Sequence, residues 1–312
     1  MIHQASRRVA DTLRREIEEQ LNSLGFLCRV FGRGKTETSL VKKLKKDPGK
    51  YSEEKKLIQD MVGIRVVLYL AEDIPIVQEI LCKKYTYDPT SSTIDTPHEK
   101  VFSVSRHNLI FKLPDTEKNE IFTAKASYPL DDTFEVQLRS IMSEGWHEVE
   151  HDLRYKNAHH WNGHDDLNRS LNGIVATLET AEWSMRKILE DLGHRQYRAK
   201  NWNAMLQSVL RMRINAPLSE EIIQILNTDS VLAKDIFRLN RQRIFSSLAK
   251  LAPKIPVNSD NLVYLWNFIS LQNEKINQIT PEFLMRNFRE AGLARTNRRA
   301  SEQNAKSSLA DT

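Results

Sequence analysis

With 312 residues, 40% of them hydrophobic and 28% charged, the chain has the makeup of a globular protein of one large or two smaller domains, well able to bury a core. A formal net charge of +5 suits a phosphate-rich ligand or RNA without requiring either. No apolar run approaches a membrane span, the N-terminal MIHQASRRVADTLRREIEEQ has no secretory core, and Cys28 and Cys82 sit in apolar contexts that favour reduced thiols over a disulfide or a metal site, so the expected location is the cytoplasm.

From Ser6 to Leu24, Val9, Leu13, Ile17, Leu21 and Leu24 recur at three- and four-residue intervals, which predicts an amphipathic helix that Gly25 stops. FLCRVFGR then reads as a short strand. Arg33 to Leu44 places cations and hydroxyls at the opening of a helix, where free N–H groups and the helix dipole favour an anion. Taken alone, the segment reads more readily as a solvated basic helix than as an anion site. Asp47-Pro48-Gly49 breaks it, and a second helix is expected around Ser52 to Gln59. Val62 to Leu70 is β-branched and nearly all apolar, as in a central strand covered on both faces. Asp60 stands just before it, the position of a turn cap or of a fixed, exposed carboxylate.

Ile74 to Lys84 has helical periodicity, Tyr85 to Lys100 reads as a polar loop, and Lys100 to Phe111 ends in a strand. Asn119 to Leu130 is expected to be a hairpin tip or an excursion from the sheet. From Thr133, Phe134, Val136 and Leu138 alternate with Glu135, Gln137 and Arg139, so the three polar side chains share one face of a strand. Beyond Ile141 the period becomes helical through Gly145, Trp146, Val149 and Leu153. His159-His160-Trp161-Asn162-Gly163-His164 has no recurring ligand spacing and reads as a polar loop. Leu167, Leu171, Ile174, Leu178, Ala181, Met185, Ile188 and Leu192 form a long helical stripe. Five further helices are expected, over 199–213, 219–226, 231–251, 259–271 and 281–291, and the polar tail from 293 is expected to be disordered.

Three stretches together resemble the RelA/SpoT family of nucleotide pyrophosphokinases. Arg33, Lys35, Ser39 and Lys43 keep the spacing R-x-K-x-x-x-S-x-x-x-K. Asp60, Gly63 and Arg65 fit D-[LIM]-x-G-x-R. Glu135-Val136-Gln137-Leu138-Arg139-Ser140, followed by Trp146, Glu148, Glu150, His151, Tyr155 and Lys156, fits the strand-and-helix motif. The family's acceptor motif G-Y-x-S-x-H is met at Ser105 and His107, but Ser103 stands at the Tyr position and Phe102 at the Gly position.

The resemblance implies an α/β (α+β) fold, a nucleotidyltransferase-like mixed sheet flanked by helices, with an all-helical C-terminal region. It divides the chain into a synthetase domain over 1–195, a helical subdomain over 196–292 and a tail over 293–312. It implies transfer of the β,γ-pyrophosphate of ATP to a ribose 3′-hydroxyl of GDP or GTP, giving (p)ppGpp. Arg33, Lys35, Ser39, Lys43 and Arg65 would bind ATP; Asp60 and Glu135 would be catalytic and would hold Mg2+; Ser105, His107, Gln137 and Arg139 would bind the acceptor. The stretch before Arg33 is too short for the family's hydrolase domain, so product is expected to be made and not degraded. The departure at Ser103 keeps two alternatives open: another acceptor, such as an adenine nucleotide or the 3′ end of tRNA, as in toxic small members, or a nucleotide- or RNA-binding chain without activity. The helical C-terminal region would serve a partner protein or a homo-oligomer.

Overall fold

The computed structural model describes residues 2–46, 48–52, 54–95, 106–124, 128–252 and 254–293. They fall into two compact units, Met1–Asn22 with Leu27–Ser184, and Ser23–Phe26 with Met185–Thr312.

In the first unit, α1 (Ile2–Ser23) buries Val9, Leu13, Ile17 and Leu21, the stripe its periodicity predicts. There follow β1 (Cys28–Gly34), α2 (Glu37–Lys46), β2 (Val62–Leu68), α3 (Ile74–Lys84), β3 (Tyr87–Ile94), β4 (His107–Lys112), α4 (Asp115–Ala124), β5 (Thr133–Ser140), α5 (Ile141–Val149) and α6 (Asp165–Arg198). Between α5 and α6 the chain runs through a π-helical turn at Glu150–Arg154 and a 3-10 stretch at Tyr155–Trp161. The five strands form one mixed sheet in the order β1-β2-β5-β4-β3. β2 and β5 are parallel and the other pairs antiparallel.

The strand pattern of 133–140 is realised in full: Phe134, Val136 and Leu138 are buried, while Glu135, Gln137 and Arg139 lie half-buried on the other face. α5 starts where the period changes, its first turn closed by a reciprocal Ser140–Ser143 capping box. Trp146 Nε1 donates to the Leu171 carbonyl at 3.1 Å, which fixes α5 against α6.

Several expectations are corrected. The stretch expected to be a helix around Ser52 to Gln59 is, where described, irregular. Its backbone bonds are taken by neighbouring chain: Tyr51 bridges Lys56, Ile58 bridges Leu130, and Ile58 N–H donates to the Pro129 carbonyl at 2.9 Å. The polar loop after Tyr85 contains β3, an irregular edge strand in which Asp88 accepts from the Thr90 and Ser91 amides. Its Ser and Thr side chains hide it from an apolar pattern. The hairpin tip at Asn119 is α4, a helix that buries only Ile121 and so carries little periodic signal. β2 is covered on both faces only toward its end, where Val67 is buried; Gly63 and Arg65, on the same side, line a cleft. The α6 stripe does not pack on the sheet along its length: Leu167, Ile174, Ile188 and Leu192 are 40 to 67% exposed, and Val175 is the large apolar residue that is buried.

The second unit is helical: α7 (Trp202–Leu210), α8 (Glu220–Thr228), α9 (Ser230–Phe237), α10 (Arg241–Leu251), α11 (Ser259–Trp266), α12 (Glu274–Ile279) and α13 (Glu282–Glu290). The single helix expected over 231–251 is two, because Asn240 caps a new start by accepting from the Arg243 amide at 2.9 Å. The short α12 had no counterpart in the sequence reading. Residues 23–26 join this unit through the Arg213 amide, which donates to the Gly25 carbonyl at 2.8 Å, and through Phe26, stacked on Phe245 with centroids 4.1 Å apart. The tail expectation from 294 onward, and those for Phe102, Ser103 and Ser105, lie outside the described residues.

β1 lies under α1 at backbone contact. A Cβ on Gly34 would stand 2.5 Å from the Arg7 amide nitrogen, whereas one on Gly63 would meet nothing closer than 3.8 Å. Gly34→Ala is therefore expected to destabilise the protein by about 1–3 kcal/mol through overpacking, and Gly63→Ala to change stability little. Thermal melts of the two variants check this, and equal losses would contradict the close approach.

Candidate active site

The β1–β2 pairing delivers the first basic cluster. Arg33 closes β1, and the Lys35 amide donates to the Met61 carbonyl at 2.9 Å, which draws Lys35 to the residue before β2. Lys35 Nζ then sits 2.5 Å from Asp60 Oδ2, and Lys43 Nζ, two turns into α2, sits 2.8 Å from Asp60 Oδ1. Both oxygens of Asp60 are thus held. Burial opposes ionisation of Asp60, but the two lysines outweigh it and keep the carboxyl below its ordinary range. Burial draws Lys35 below the usual lysine range against the pull of Asp60. At Lys43 burial works the same way, but Asp60 prevails and raises it. Ser39 is exposed in the first turn of α2, where its amide donates to Thr36 Oγ1 at 3.2 Å and its Oγ accepts from the Thr36 hydroxyl at 2.9 Å. Four residues apart, Ser39 and Lys43 share a face of the helix.

The parallel β2–β5 register sets Gly63 opposite Glu135 and Arg65 opposite Gln137. Glu135 has no lysine of its own. Its Oε2 accepts from Gln137 Nε2 at 3.1 Å, and burial, then the charge of Asp60, push its carboxyl above the usual range while Gln137, Arg139 and Arg33 oppose them. Gln137 Oε1 in turn accepts from Arg65 Nε at 3.3 Å. Arg65 also pairs with Glu144 at 2.6 Å and with Glu148, so this residue, expected to bind ATP, is already engaged by two carboxylates from α5.

A cleft of about 490 Å³ lies over these residues, lined by Phe31, Arg33, Arg65, Glu135 and Gln137 from the sheet. Glu144, Glu148, His151, Asp152 and Lys156 close it from the α5 side. Phe31 is 53% exposed there, a flat apolar surface beside Arg33 that the sequence reading did not single out. Glu144 and Glu148 were likewise missed as site residues, although their four-residue spacing in the strand-and-helix motif was the signal that could have found them.

The expected acceptor-binding set divides: Gln137 lines this cleft, whereas His107 and Arg139 both line a second cavity of about 280 Å³. Ser105 is outside the described residues. Asn108 pairs with Gln137, so its neighbour His107 faces the opposite side of the sheet from Glu135, where burial lowers its imidazole below the usual range. Arg139 shares the Gln137 side of β5, but its guanidinium runs past the strand end, with Nε 3.6 Å from Glu144 Oε2, and burial lowers it. Burial and the charges of Arg139 and Arg65 push the His147 imidazole down to about 3, so it is neutral.

Among the described residues no cluster of three or more His, Cys, Asp or Glu side chains could cage a metal. The donor set that fits a hard cation is the pair Asp60 and Glu135, two carboxylates close enough for one to raise the other.

Residues 32–160 match the model of the region found in RelA / SpoT proteins. Among solved structures the chain is similar to the small alarmone synthetase 1 from Bacillus subtilis, alone and bound to its product pppGpp. Each of these matches has a TM-score of 0.44 and 20% identity over 59% of this chain and 92% of the other. It is also similar to a GTP pyrophosphokinase family protein from Streptococcus pneumoniae, with a TM-score of 0.46 and 21% identity over 62% of this chain and 92% of the other. No curated protein matches it. Among the described residues no helix is long and apolar enough to cross a membrane.

The electrostatics of this site predict opposite behaviour for its two carboxylates. Glu135 has a raised folded-state pKa, so its ionisation costs stability at high pH and nothing below about pH 4, where it is protonated in both states. Glu135→Gln should therefore melt higher than wild type at neutral and alkaline pH, with the gain shrinking to nothing in acid. Asp60→Asn should do the reverse, losing about 1–3 kcal/mol near neutrality because two lysines face each other without a counter-charge, and less as acid protonates the wild-type carboxyl. Melting curves across pH check both signs.

Proposed function

We propose that this chain is an ATP-dependent pyrophosphokinase that moves the β,γ-pyrophosphate of ATP onto the ribose 3′-hydroxyl of GDP or GTP. The observation that carries the reading is that a partly desolvated carboxylate, Glu135, lines a cleft large enough for a nucleotide and feels the charge of a lysine-clamped one, Asp60. Arg33, Lys35, Ser39 and Lys43 lie on the side of Asp60 and suit a polyphosphate, with guanidinium, ammonium, hydroxyl and helix N-terminus all offering donors. Phe31 offers a stacking surface for the donor base.

In this reading the acceptor 3′-oxygen attacks the β-phosphorus, the bond from that phosphorus to the α–β bridging oxygen breaks, and AMP leaves. Glu135 takes the hydroxyl proton, a role for which a raised pKa brings it nearer the working pH. Gln137 holds Glu135 in place and is itself held by Arg65, which Glu144 and Glu148 orient. Lys35 and Lys43 exchange Asp60 for phosphate oxygens and stabilise charge on the transferring group. Mg2+ bound by Asp60 and Glu135 would neutralise the β- and γ-phosphate oxygens.

The test is label transfer from γ-³²P ATP with Mg2+, offering GDP, GTP, ATP and deacylated tRNA in parallel. Label on GDP or GTP is the expected result, reduced in Glu135→Gln by roughly 100-fold or more. Label on tRNA or an adenine nucleotide instead would replace the acceptor while keeping the donor half. No Glu135-dependent transfer to any acceptor would leave a nucleotide-binding domain without activity.

A further inference from the structure

The glycines of β1 and β2 differ in what they are pressed against. A Cβ on Gly32 would stand 2.7 Å from the Ala10 carbonyl oxygen and one on Gly34 2.5 Å from the Arg7 amide nitrogen, so the close approach of α1 accounts for both. A Cβ on Gly63 would meet nothing among the described residues nearer than the Arg33 carbonyl oxygen at 3.8 Å, an ordinary contact, and Gly63 does not have a positive φ. A glycine inside a strand gives up side-chain packing and costs backbone entropy; where neither packing nor a turn accounts for it, it marks the close approach of a ligand or another backbone. Gly63 lines the cleft.

The strand register fixes what surrounds that bare position. Arg33, Gly63 and Glu135 form one row across β1, β2 and β5, and Phe31, Arg65 and Gln137 form the next row on the same face. The two rows are about 7 Å apart along the strands. In the other direction the β1–β2 pairing runs out at Met61, whose carbonyl accepts from the Lys35 amide, beside Asp60 and its two lysines. Gly63 therefore lies midway along roughly 13 Å of strand, between the flat ring of Phe31 and the lysine clamp, with Arg33 on one flank and Glu135 on the other.

The backbone there has nothing to offer a phosphate. Bonded pairs in an antiparallel ladder recur every second residue, so the Lys35–Met61 bond makes Arg33 and Gly63 the next such pair, and the Gly63 N–H is spent on the Arg33 carbonyl. A bare strand with its bonds spent gives only van der Waals contact, which suits an uncharged ring lying against it. In a nucleoside triphosphate with its base toward Phe31 and its phosphates toward Lys35 and Lys43, the part that crosses Gly63 is the sugar. We propose that Gly63 is the floor for the ribose of the donor nucleotide, a positioning residue whose missing side chain lets one molecule reach both anchors. The identity of the donor rests on the pyrophosphokinase reading; the place of its sugar rests on the register. A Cβ at this position would lift the ribose off the strand and draw the base or the phosphates away from their partners.

The test is isothermal titration calorimetry on the full chain with Mg2+ and no acceptor. It uses α,β-methylene ATP, which cannot be cleaved at the bond the reaction breaks, and inorganic tripolyphosphate, which keeps the phosphates and lacks the sugar and base. Gly63→Ala is expected to weaken α,β-methylene ATP roughly tenfold or more, the effect of forcing a methyl group into an occupied contact, and to leave tripolyphosphate unchanged. Undiminished tripolyphosphate binding also shows that the variant is folded, since a merely structural loss would lower both ligands. Gly173→Ala, at a helix position where a Cβ also meets nothing within 4 Å, should alter neither. The proposal is overturned by equal affinity of wild type and Gly63→Ala for the ATP analogue, by an equal loss for tripolyphosphate, or by a wild type that does not bind the analogue. A wild type that shows the Gly63 dependence but transfers label to no acceptor overturns the pyrophosphokinase reading and leaves the ribose floor standing; one that transfers label while Gly63→Ala binds the analogue normally overturns the floor alone.

Discussion

The unequal treatment of two carboxylates governs the rest of the cleft. Asp60 and Glu135 are brought to the same end of the sheet by the parallel β2–β5 pair, the sole parallel pairing among the described strands. Two ammonium groups neutralise Asp60, and only an amide supports Glu135. If both were equally paired, neither would be a proton acceptor near neutral pH and neither would favour an incoming cation. If neither were paired, two like charges in a half-buried site would force one to protonate. The observed division keeps Asp60 charged, leaves Glu135 tunable, and holds two lysines at a point where phosphate can compete for them.

A second chain of charge supports the first. Glu144 and Glu148, one helical turn apart on α5, grip Arg65, whose Nε reaches Gln137, which bonds Glu135. α5 starts where it does because Ser140 and Ser143 cap it directly at the end of β5. A local capping event therefore decides whether Glu144 and Glu148 face the cleft.

The elements that hold the site were legible in the sequence because their physics is local. The two-residue alternation of 133–140 and the four-residue spacing of Ser39 and Lys43 each follow from one backbone geometry. What escaped depends on contacts between distant segments. Residues around Ile58 have helical composition, but their hydrogen bonds go to the approach to β5. β3 is a polar edge strand whose pairing with β4 is invisible to a hydrophobic pattern. The α6 stripe has the period of a buried helix, yet four of its large residues are exposed, since periodicity states which residues share a face and not what covers it. Arg65 illustrates the same limit within the site: its place in the motif after Asp60 was readable, but its capture by Glu144 and Glu148 required the fold.

Arg139 links the charge network behind the cleft to the wall of the second cavity. Its Nε lies 3.6 Å from Glu144 Oε2, and its Nη1 is buried without a hydrogen-bond partner among the described residues. A guanidinium is planar and rigid, so an acceptor that fixes one nitrogen fixes the orientation of the others. From Glu144 the sequence of contacts runs through Arg65 and Gln137 to Glu135.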